Sequence, residues 1–229
     1  VVARAEYHRQ VAHRLIDRRR DEIFGNRRPE AQLRRRRVED SEGRDVAIGD
    51  YFKSGRPVVL ALVYYECPML CTQVLNGLTG ALETLNLDAG KDFDVIALSF
   101  DPREEPKLAK AKKIAYMGRY GRPGTEDGWH FLTGSQESIA RVTDAVGFRY
   151  TFDENIGQFA HGALITVLTP EARISRYLYG IDYGGRDLRA GLVGAPACLA
   201  AAAGAGSGSM PPMNVGIPQG PQDEYERRL

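Results

Sequence analysis

The sequence has few cysteines, and its charges almost cancel. Three cysteines in 229 residues are too few for a disulfide scaffold, and their odd number favours reactive or metal-binding thiols over structural bridges. The formal net charge is +1, from 31 basic and 30 acidic residues, so no overall field favours nucleic acid or an anionic membrane. No stretch approaches the roughly 18 apolar residues of a membrane span, and no signal peptide or anchor is visible. What remains is a chain with 43% hydrophobic residues, which can bury one core of ordinary domain size.

The composition changes near both ends of the chain. Residues 1–44 are rich in arginine and have few large apolar residues at a fixed period, so we expect a solvated or disordered arm. A basic arm that touches lipid headgroups or another polyanion is the alternative. Residues 194–229 turn to alanine, glycine, serine and proline, which is typical of a linker or a disordered tail. We therefore expect a single domain over residues 45–193.

Strand and helix patterns alternate within that domain. Buried-strand patterns occur at residues 58–65, 93–100, 163–168 and 174–179. Apolar residues at helical spacing lie between the first two strands and, in two further groups, between the second and the third. This order predicts an α/β domain in which the first two strands are parallel and the last two form a hairpin. If the turn of this hairpin uses a positive φ at Ala172, a glycine would suit that position better than an alanine.

Two cysteines follow directly after the first strand. Cys67 and Cys71 are three residues apart, so the motif is CxxxC and not the CxxC of dithiol oxidoreductases. A helix that begins near Leu70 would put the two sulfurs about one turn apart, with Cys71 at a helix N-terminus that favours a thiolate. Two such thiolates form a soft chelate. We interpret Met69, between them, as a residue that packs the loop, with a weak thioether ligand as the alternative.

Two histidines stand close to predicted strands. His161 comes just before the strand at residues 163–168, and by itself such a residue is more often structural than a ligand. Any contact between His161 and the cysteines must come from the fold. His130 begins a further strand together with Trp129, and we interpret it as a residue of the core.

Several short stretches of the chain occur in the order of a known family. They are Tyr65-Glu66-Cys67-Pro68-Met69-Leu70-Cys71, Leu98-Ser99-Phe100-Asp101-Pro102, Trp129-His130-Phe131-Leu132-Thr133-Gly134, Phe159-Ala160-His161 and Leu168-Thr169-Pro170-Glu171. In these stretches the sequence resembles the Sco/SenC copper-binding proteins, which are thioredoxin-like domains associated with assembly of cytochrome oxidase. The resemblance implies a thioredoxin-like α/β fold, with a central mixed sheet flanked by helices.

The resemblance also implies the residues of a metal site. Cys67, Cys71 and His161 would be the copper ligands, and Asp101 would lie near them as a supporting polar group. Where the family often has Asp-Pro-x-x-Asp-Thr-Pro, this chain has only three residues between Pro102 and Pro106, so the family pattern fixes no role for Glu105.

The function implied by the resemblance is that of a copper chaperone, a metallochaperone rather than an enzyme. It would deliver one copper to the copper-receiving subunit of a respiratory oxidase, in the periplasm or at the outer face of the cell membrane, with no nucleic acid as partner. Two thiolates and an imidazole suit Cu(I), and the imidazole also makes Cu(II) tolerable. An open coordination position would let the metal pass to a partner by ligand exchange.

Two other functions compete with this one. A thiol-disulfide oxidoreductase could reduce the cysteines of a copper-receiving partner, with Cys67 as the nucleophile and Cys71 as the resolving thiol. A structural zinc site is compatible with the spacing of the cysteines, but it needs four protein ligands, and Cys198 is the only other thiol.

Overall fold

The computed structural model of the protein describes residues 29–155 and 157–203. The elements in chain order are α1 (Pro29–Arg34), β1 (Arg37–Glu39), β2 (Asp45–Ala47), a 3₁₀ turn (Ile48–Phe52), β3 (Val58–Val63), α2 (Leu70–Glu83), β4 (Asp94–Ser99), α3 (Pro106–Tyr120), a second 3₁₀ turn (Glu126–Gly128), β5 (Trp129–Leu132), α4 (Gln136–Ala145), β6 (Tyr150–Asp153), β7 (Gln158–His161), β8 (Leu164–Leu168), β9 (Ile174–Tyr179) and α5 (Gly185–Ala203).

Five of these strands form one mixed sheet in the order β5-β4-β3-β8-β9. β3 is parallel to β4 and β4 is parallel to β5, whereas β8 is antiparallel to both β3 and β9. All six residues of β3 and all six of β4 are buried, which agrees with their position inside a sheet that is covered on both faces. The predicted α/β fold with a central mixed sheet and flanking helices is confirmed, as are the parallel first pair and the antiparallel last pair.

The helices are placed by their apolar faces. The buried side of α2 includes Val74, Leu78 and Leu82, and this helix packs against α3, α5 and the sheet. α4 has Ser135 as its N-cap, whose side chain accepts a hydrogen bond from the Ser138 N–H, and it packs against α1. Because β3 and β4 are parallel, the segments that follow them leave the sheet at the same edge.

Two short antiparallel pairs lie outside the central sheet. β1 pairs with β2, and β6 pairs with β7 as a separate two-stranded sheet that ends at His161. Neither pair is predicted by the sequence pattern. β6 and β7 have four residues each and are partly exposed, so they lack the long apolar run that identifies a buried strand.

The folded unit begins before residue 45. Leu33 on α1 and Val38 on β1 are each 2% exposed and belong to the hydrophobic core. The expectation that residues 1–44 contribute nothing to a core is therefore wrong for this part of the arm. Residues 1–28 of the predicted arm lie outside the described residues.

The predicted tail also starts within a helix. α5 runs from Gly185 to Ala203 and so continues past residue 194, where low-complexity sequence begins. Residues 204–229 lie outside the described residues. In the described residues, no helix is long and apolar enough to cross a membrane.

The turn between β8 and β9 uses a positive φ at Ala172. Its φ is 64°, and no other non-glycine residue in the described part of the chain has a positive φ. Its N–H donates to the Thr169 carbonyl, which closes the turn. The methyl group is buried, so the side chain packs at a position where the backbone favours glycine.

Candidate metal centre

The two cysteines are placed by the end of β3 and the start of α2. Cys67 lies in the connecting loop and Cys71 in the first turn of the helix, and both thiols are buried and free. The N–H of Cys71 donates to the Cys67 sulfur over 3.3 Å, and the N–H of Tyr64 donates to the Cys71 sulfur over 3.3 Å. Backbone donors thus face both sulfurs and stabilise negative charge on them.

His161, the last residue of β7, provides the third donor. Its Nε2 lies 3.3 Å from the Cys71 Sγ, and its Nδ1 lies 3.0 Å from the carbonyl oxygen of Gly162. Because a carbonyl oxygen can only accept, Nδ1 carries the proton and donates it to Gly162. The neutral ring therefore presents the lone pair of Nε2 towards the cysteines, which is the arrangement that a metal ligand needs.

Aromatic rings surround the imidazole. The ring of His161 lies 5.1 Å from that of Phe100, 6.0 Å from that of Tyr64 and 6.1 Å from that of Phe148, measured between centroids. Phe100 follows β4, so the hairpin that carries His161 is packed against the central sheet through these rings. Burial among them lowers the pKa of His161, although the hydrogen bond to Gly162 acts in the opposite direction, and the neutral ring is favoured.

The three predicted ligands meet in space. The sulfurs of Cys67 and Cys71 and a ring nitrogen of His161 all lie within 4.8 Å of one another. Among the described residues, no other group of three or more His, Cys, Asp or Glu side chains brings its donor atoms this close together. Two sulfurs and one imidazole nitrogen fit a soft metal ion, and a fourth protein ligand, which structural zinc requires, is not present among the described side chains.

The two thiols differ in their electrostatic surroundings. Burial raises the pKa of Cys67, but the N–H of Cys71 and the hydroxyl of Tyr64 outweigh it, so this pKa lies below its ordinary value. Burial raises the pKa of Cys71 well above the usual range, and the negative charge of the Cys67 thiolate adds to the increase although the Tyr64 N–H opposes it. Cys67 is thus the thiol that loses its proton first.

Asp101 lies in the loop after β4 and is buried. Its carboxylate accepts hydrogen bonds from the Arg103 guanidinium, at 2.6 Å to Nη2 and 2.8 Å to Nε. Burial raises the pKa of Asp101, but the contacts with Arg103 lower it by a larger amount. The net pKa lies below its ordinary value, so the carboxyl is ionised more readily than usual. Its role as a supporting group of the metal centre stays a prediction.

Glu104 also lies close to the cysteine loop, although no sequence pattern predicts it. Its carboxylate is buried and accepts hydrogen bonds from the N–H groups of Tyr65 and Glu66, at 2.8 and 2.7 Å, and from the Ser99 hydroxyl. Glu105, whose role the family pattern left open, is exposed. The distance between Pro102 and Pro106 departs from the family pattern, but this departure does not show which of the two glutamates faces the cysteine loop.

Met69, His130 and Cys198, which were also considered from the sequence, lie in three different parts of the chain. Met69 is 65% exposed, so its interpretation as a residue that packs the loop is wrong. His130 lies on β5, with its Nε2 3.4 Å from an oxygen of Asp94 and its ring against Tyr51, apart from the candidate ligands. Cys198 lies on the part of α5 whose side chains are outside the described set.

A comparison with family models decides the family. The model described as SCO1/SenC matches residues 37–188, about two thirds of the chain. The chain belongs to the SCO1/SenC family. The match begins before residue 45 and contains all three candidate ligands, Cys67, Cys71 and His161.

Solved structures support the same assignment of the fold. A putative electron transfer protein from Aquifex aeolicus VF5 is 28% identical with a TM-score of 0.59, and the match covers 69% of this chain and 88% of that one. ScoI from Arabidopsis thaliana, solved with copper bound, is 21% identical with a TM-score of 0.56, covering 71% and 96%.

BsSco, described as a member of the Sco family of cytochrome c oxidase assembly proteins with a disulfide switch, is 20% identical with a TM-score of 0.55, covering 69% and 90%. The thioredoxin-like fold predicted from the sequence is confirmed by the likeness to these Sco structures. No curated protein matches the chain.

Proposed function

We propose that the protein is a copper carrier, which binds one copper ion through Cys67, Cys71 and His161. The observation that supports this most is the meeting of the three donor atoms within 4.8 Å, with the Nε2 lone pair of His161 directed at the cysteines. Sulfur ligands favour Cu(I), and the imidazole makes Cu(II) acceptable, so both oxidation states belong to the proposal. The copper in the Arabidopsis relative supports this choice of metal.

The same donor set suits transfer of the metal. Three protein ligands leave a coordination position open, at which a donor from a partner can bind before the carrier's ligands are released. We propose that the partner is the copper-receiving subunit of a respiratory oxidase, and the description of BsSco as an oxidase assembly protein supports this. The proposed location is the periplasm or the outer face of the cell membrane, as the family resemblance implies.

A thiol-disulfide oxidoreductase is the second candidate function, and one observation favours it. The pKa of Cys67 is lowered while that of Cys71 is raised, which is the asymmetry expected of a nucleophilic and a resolving thiol. The disulfide switch identified in BsSco is consistent with this chemistry in a relative. A reductase, however, has no need for the imidazole nitrogen that faces the two sulfurs.

Titration with Cu(I) under reducing conditions tests the proposal. We expect the wild-type protein to bind about one copper per chain, and Cys67→Ala or Cys71→Ala to abolish tight binding. His161→Ala should weaken Cu(I) binding and largely remove the Cu(II) form, because only sulfur donors remain. His130→Ala is the matched control, since His130 is a histidine away from the centre. Wild-type copper content in Cys67→Ala would contradict the proposal.

A further inference from the structure

Glu104 lies in the segment that leaves β4 at the same edge of the sheet as the cysteine loop. Its Oε1 accepts a hydrogen bond from the Glu66 N–H, and its Oε2 accepts from the Tyr65 N–H. Oε2 also accepts from the Ser99 hydroxyl at 2.5 Å, which connects it to the end of β4. One carboxylate therefore links the end of β4 to the two residues that precede Cys67.

Beyond the end of β3, the backbone N–H groups of Tyr65 and Glu66 donate to Glu104 and not to a neighbouring strand. β3 ends at Val63, and the N–H of Cys67 donates to the carbonyl of Tyr64, so the chain turns between these two residues. The two N–H groups inside the turn, from Tyr65 and Glu66, have the Glu104 carboxylate as their acceptor. Without that acceptor these N–H groups would need another partner, and the turn that sets the direction of Cys67 would lose its anchor.

In the described part of the chain, the negative charge of Glu104 is stabilised by hydrogen bonds and not by an ion pair. Among the described residues, Glu104 has no Lys or Arg partner within ion-pair distance, whereas the neighbouring Asp101 is paired with Arg103. A buried carboxylate without a cation is costly unless it is fully hydrogen-bonded. Here backbone N–H groups of the cysteine loop and Ser99 offset part of this cost, although burial outweighs them and raises the pKa of Glu104 above its ordinary value, so the carboxylate and the loop depend on each other.

We propose that Glu104 is a positioning residue of the metal centre, which holds the Tyr65 and Glu66 amides and thereby fixes the Cys67 sulfur relative to Cys71 and His161. This inference rests on the copper-binding function proposed above. Groups that orient metal ligands from outside the ligand set contribute substantially to affinity, because they hold the ligands in place before the metal arrives.

Two substitutions of Glu104 separate the effect of its side-chain length from the effect of its charge. Glu104→Gln keeps the length of the side chain, but its NH₂ group is a donor and opposes one of the two N–H groups. Glu104→Asp keeps both acceptor oxygens and the charge, but it is one methylene shorter and cannot reach both amides from the same backbone position. The exposed neighbour Glu105 offers matched controls, Glu105→Gln and Glu105→Asp, which change charge and length without touching the loop.

Competition with a chromogenic Cu(I) chelator measures the effect. We expect both Glu104 variants to bind Cu(I) about 10- to 100-fold more weakly than the wild type, and both Glu105 variants to match it. The sulfur-to-copper charge-transfer absorption of the Cu(II) form should shift in the Glu104 variants only, since a displaced Cys67 changes the Cu–S geometry. Equal affinity in all four variants would overturn the proposal. Wild-type affinity in Glu104→Asp, with weaker binding in Glu104→Gln, would also overturn it, because the charge of residue 104 and not the length of its side chain would then determine copper affinity.

A second readout keeps the proposal testable without copper. In equilibrium with dithiothreitol, the Cys67 and Cys71 thiols lose two protons and two electrons to the oxidised reagent, whose S–S bond breaks as the protein disulfide forms. We expect a several-fold smaller equilibrium constant for disulfide formation in the Glu104 variants and no change in the Glu105 variants. If wild-type protein failed to bind Cu(I), the carrier function would fail, and an unchanged thiol equilibrium would separately overturn the role of Glu104.

The wild-type protein gives a test that needs no substitution and so does not depend on the variants folding. In the copper-free form, the N–H groups of Tyr65 and Glu66 should be protected from hydrogen exchange, because each has a buried acceptor. Exchange at the rate of an unstructured peptide would overturn the proposal.

Discussion

At the scale of single residues, the atoms around each candidate ligand favour the binding of a metal. The Gly162 carbonyl fixes the proton of His161 on Nδ1, and the backbone N–H groups of Tyr64 and Cys71 face the two sulfurs. The result is one thiol of lowered pKa, one of raised pKa and a neutral imidazole. A soft cation that binds to both sulfurs would have to displace the proton of Cys71, whose pKa is raised.

The unequal thiols lead to a prediction about oxidation. Cys67 and Cys71 should form a reversible disulfide within one chain, because the Cys67 thiolate lies beside a second thiol at the start of a helix. The oxidised protein should bind no Cu(I), since the disulfide removes both sulfur ligands. Thiol counting before and after copper loading checks this, with Cys198→Ser as the background that excludes other pairings. Stoichiometric Cu(I) uptake by the oxidised form would contradict the prediction.

The sequence predicted these three residues more readily than their neighbours. The spacing of Cys67 and Cys71 indicates a pair of soft donors, whereas His161 is added to them only by the resemblance to the Sco/SenC proteins. Glu104 is not predicted in this way, since two of its three hydrogen-bond donors are backbone N–H groups 38 and 39 positions away, which leave no mark on residue type. The exposure of Met69 was equally unpredictable, because an apolar side chain in a loop does not show which way it points.

At the scale of elements, prediction succeeded where both faces of a strand are buried. β3 and β4 were predicted to within two residues at each end, because continuous apolar runs mark them. β1 was missed because Val38 is the single buried residue of a three-residue strand. Leu33 and Val38 stand among arginines without a period, so local sequence alone could not show that they reach the core.

The contribution of α1 to the core gives a prediction about stability. Leu33→Ala should lower the free energy of unfolding by about 2–5 kcal/mol, the usual range for a leucine truncated in a core. Arg35→Ala on the same segment is the matched control, and as an exposed residue it should change the free energy by less than about 0.5 kcal/mol. Urea unfolding measures both. Equal effects of the two substitutions would show that α1 does not pack as described.

At the scale of the whole molecule, the site depends on three parts of the chain. The parallel strands β3 and β4 bring the cysteine loop and the Asp101 to Glu104 segment to one edge of the sheet. The separate β6–β7 pair then carries His161 to the same place, 90 positions after Cys71. The sequence could predict the sheet edge, but the meeting with His161 required a hairpin that its pattern did not reveal.

The remaining thiol of the chain gives a prediction about the whole molecule. Cys198→Ser should leave the stoichiometry and affinity of Cu(I) binding unchanged, because all three proposed ligands lie within the SCO1/SenC match at residues 37–188. The chelator competition used for the other variants measures this. A tenfold loss of affinity, worth about 1.4 kcal/mol, would mean that a third sulfur ligand comes from α5 and that the open position proposed for transfer is filled.

X-ray absorption spectroscopy of the Cu(I)-loaded protein identifies the ligands directly, because it counts the atoms bound to the metal. We expect about two sulfur neighbours and one nitrogen neighbour per copper, with the nitrogen lost in His161→Ala and the sulfurs retained. A copper site with three or more sulfur neighbours, or one whose nitrogen persists in His161→Ala, would contradict the assignment of Cys67, Cys71 and His161 as the ligands.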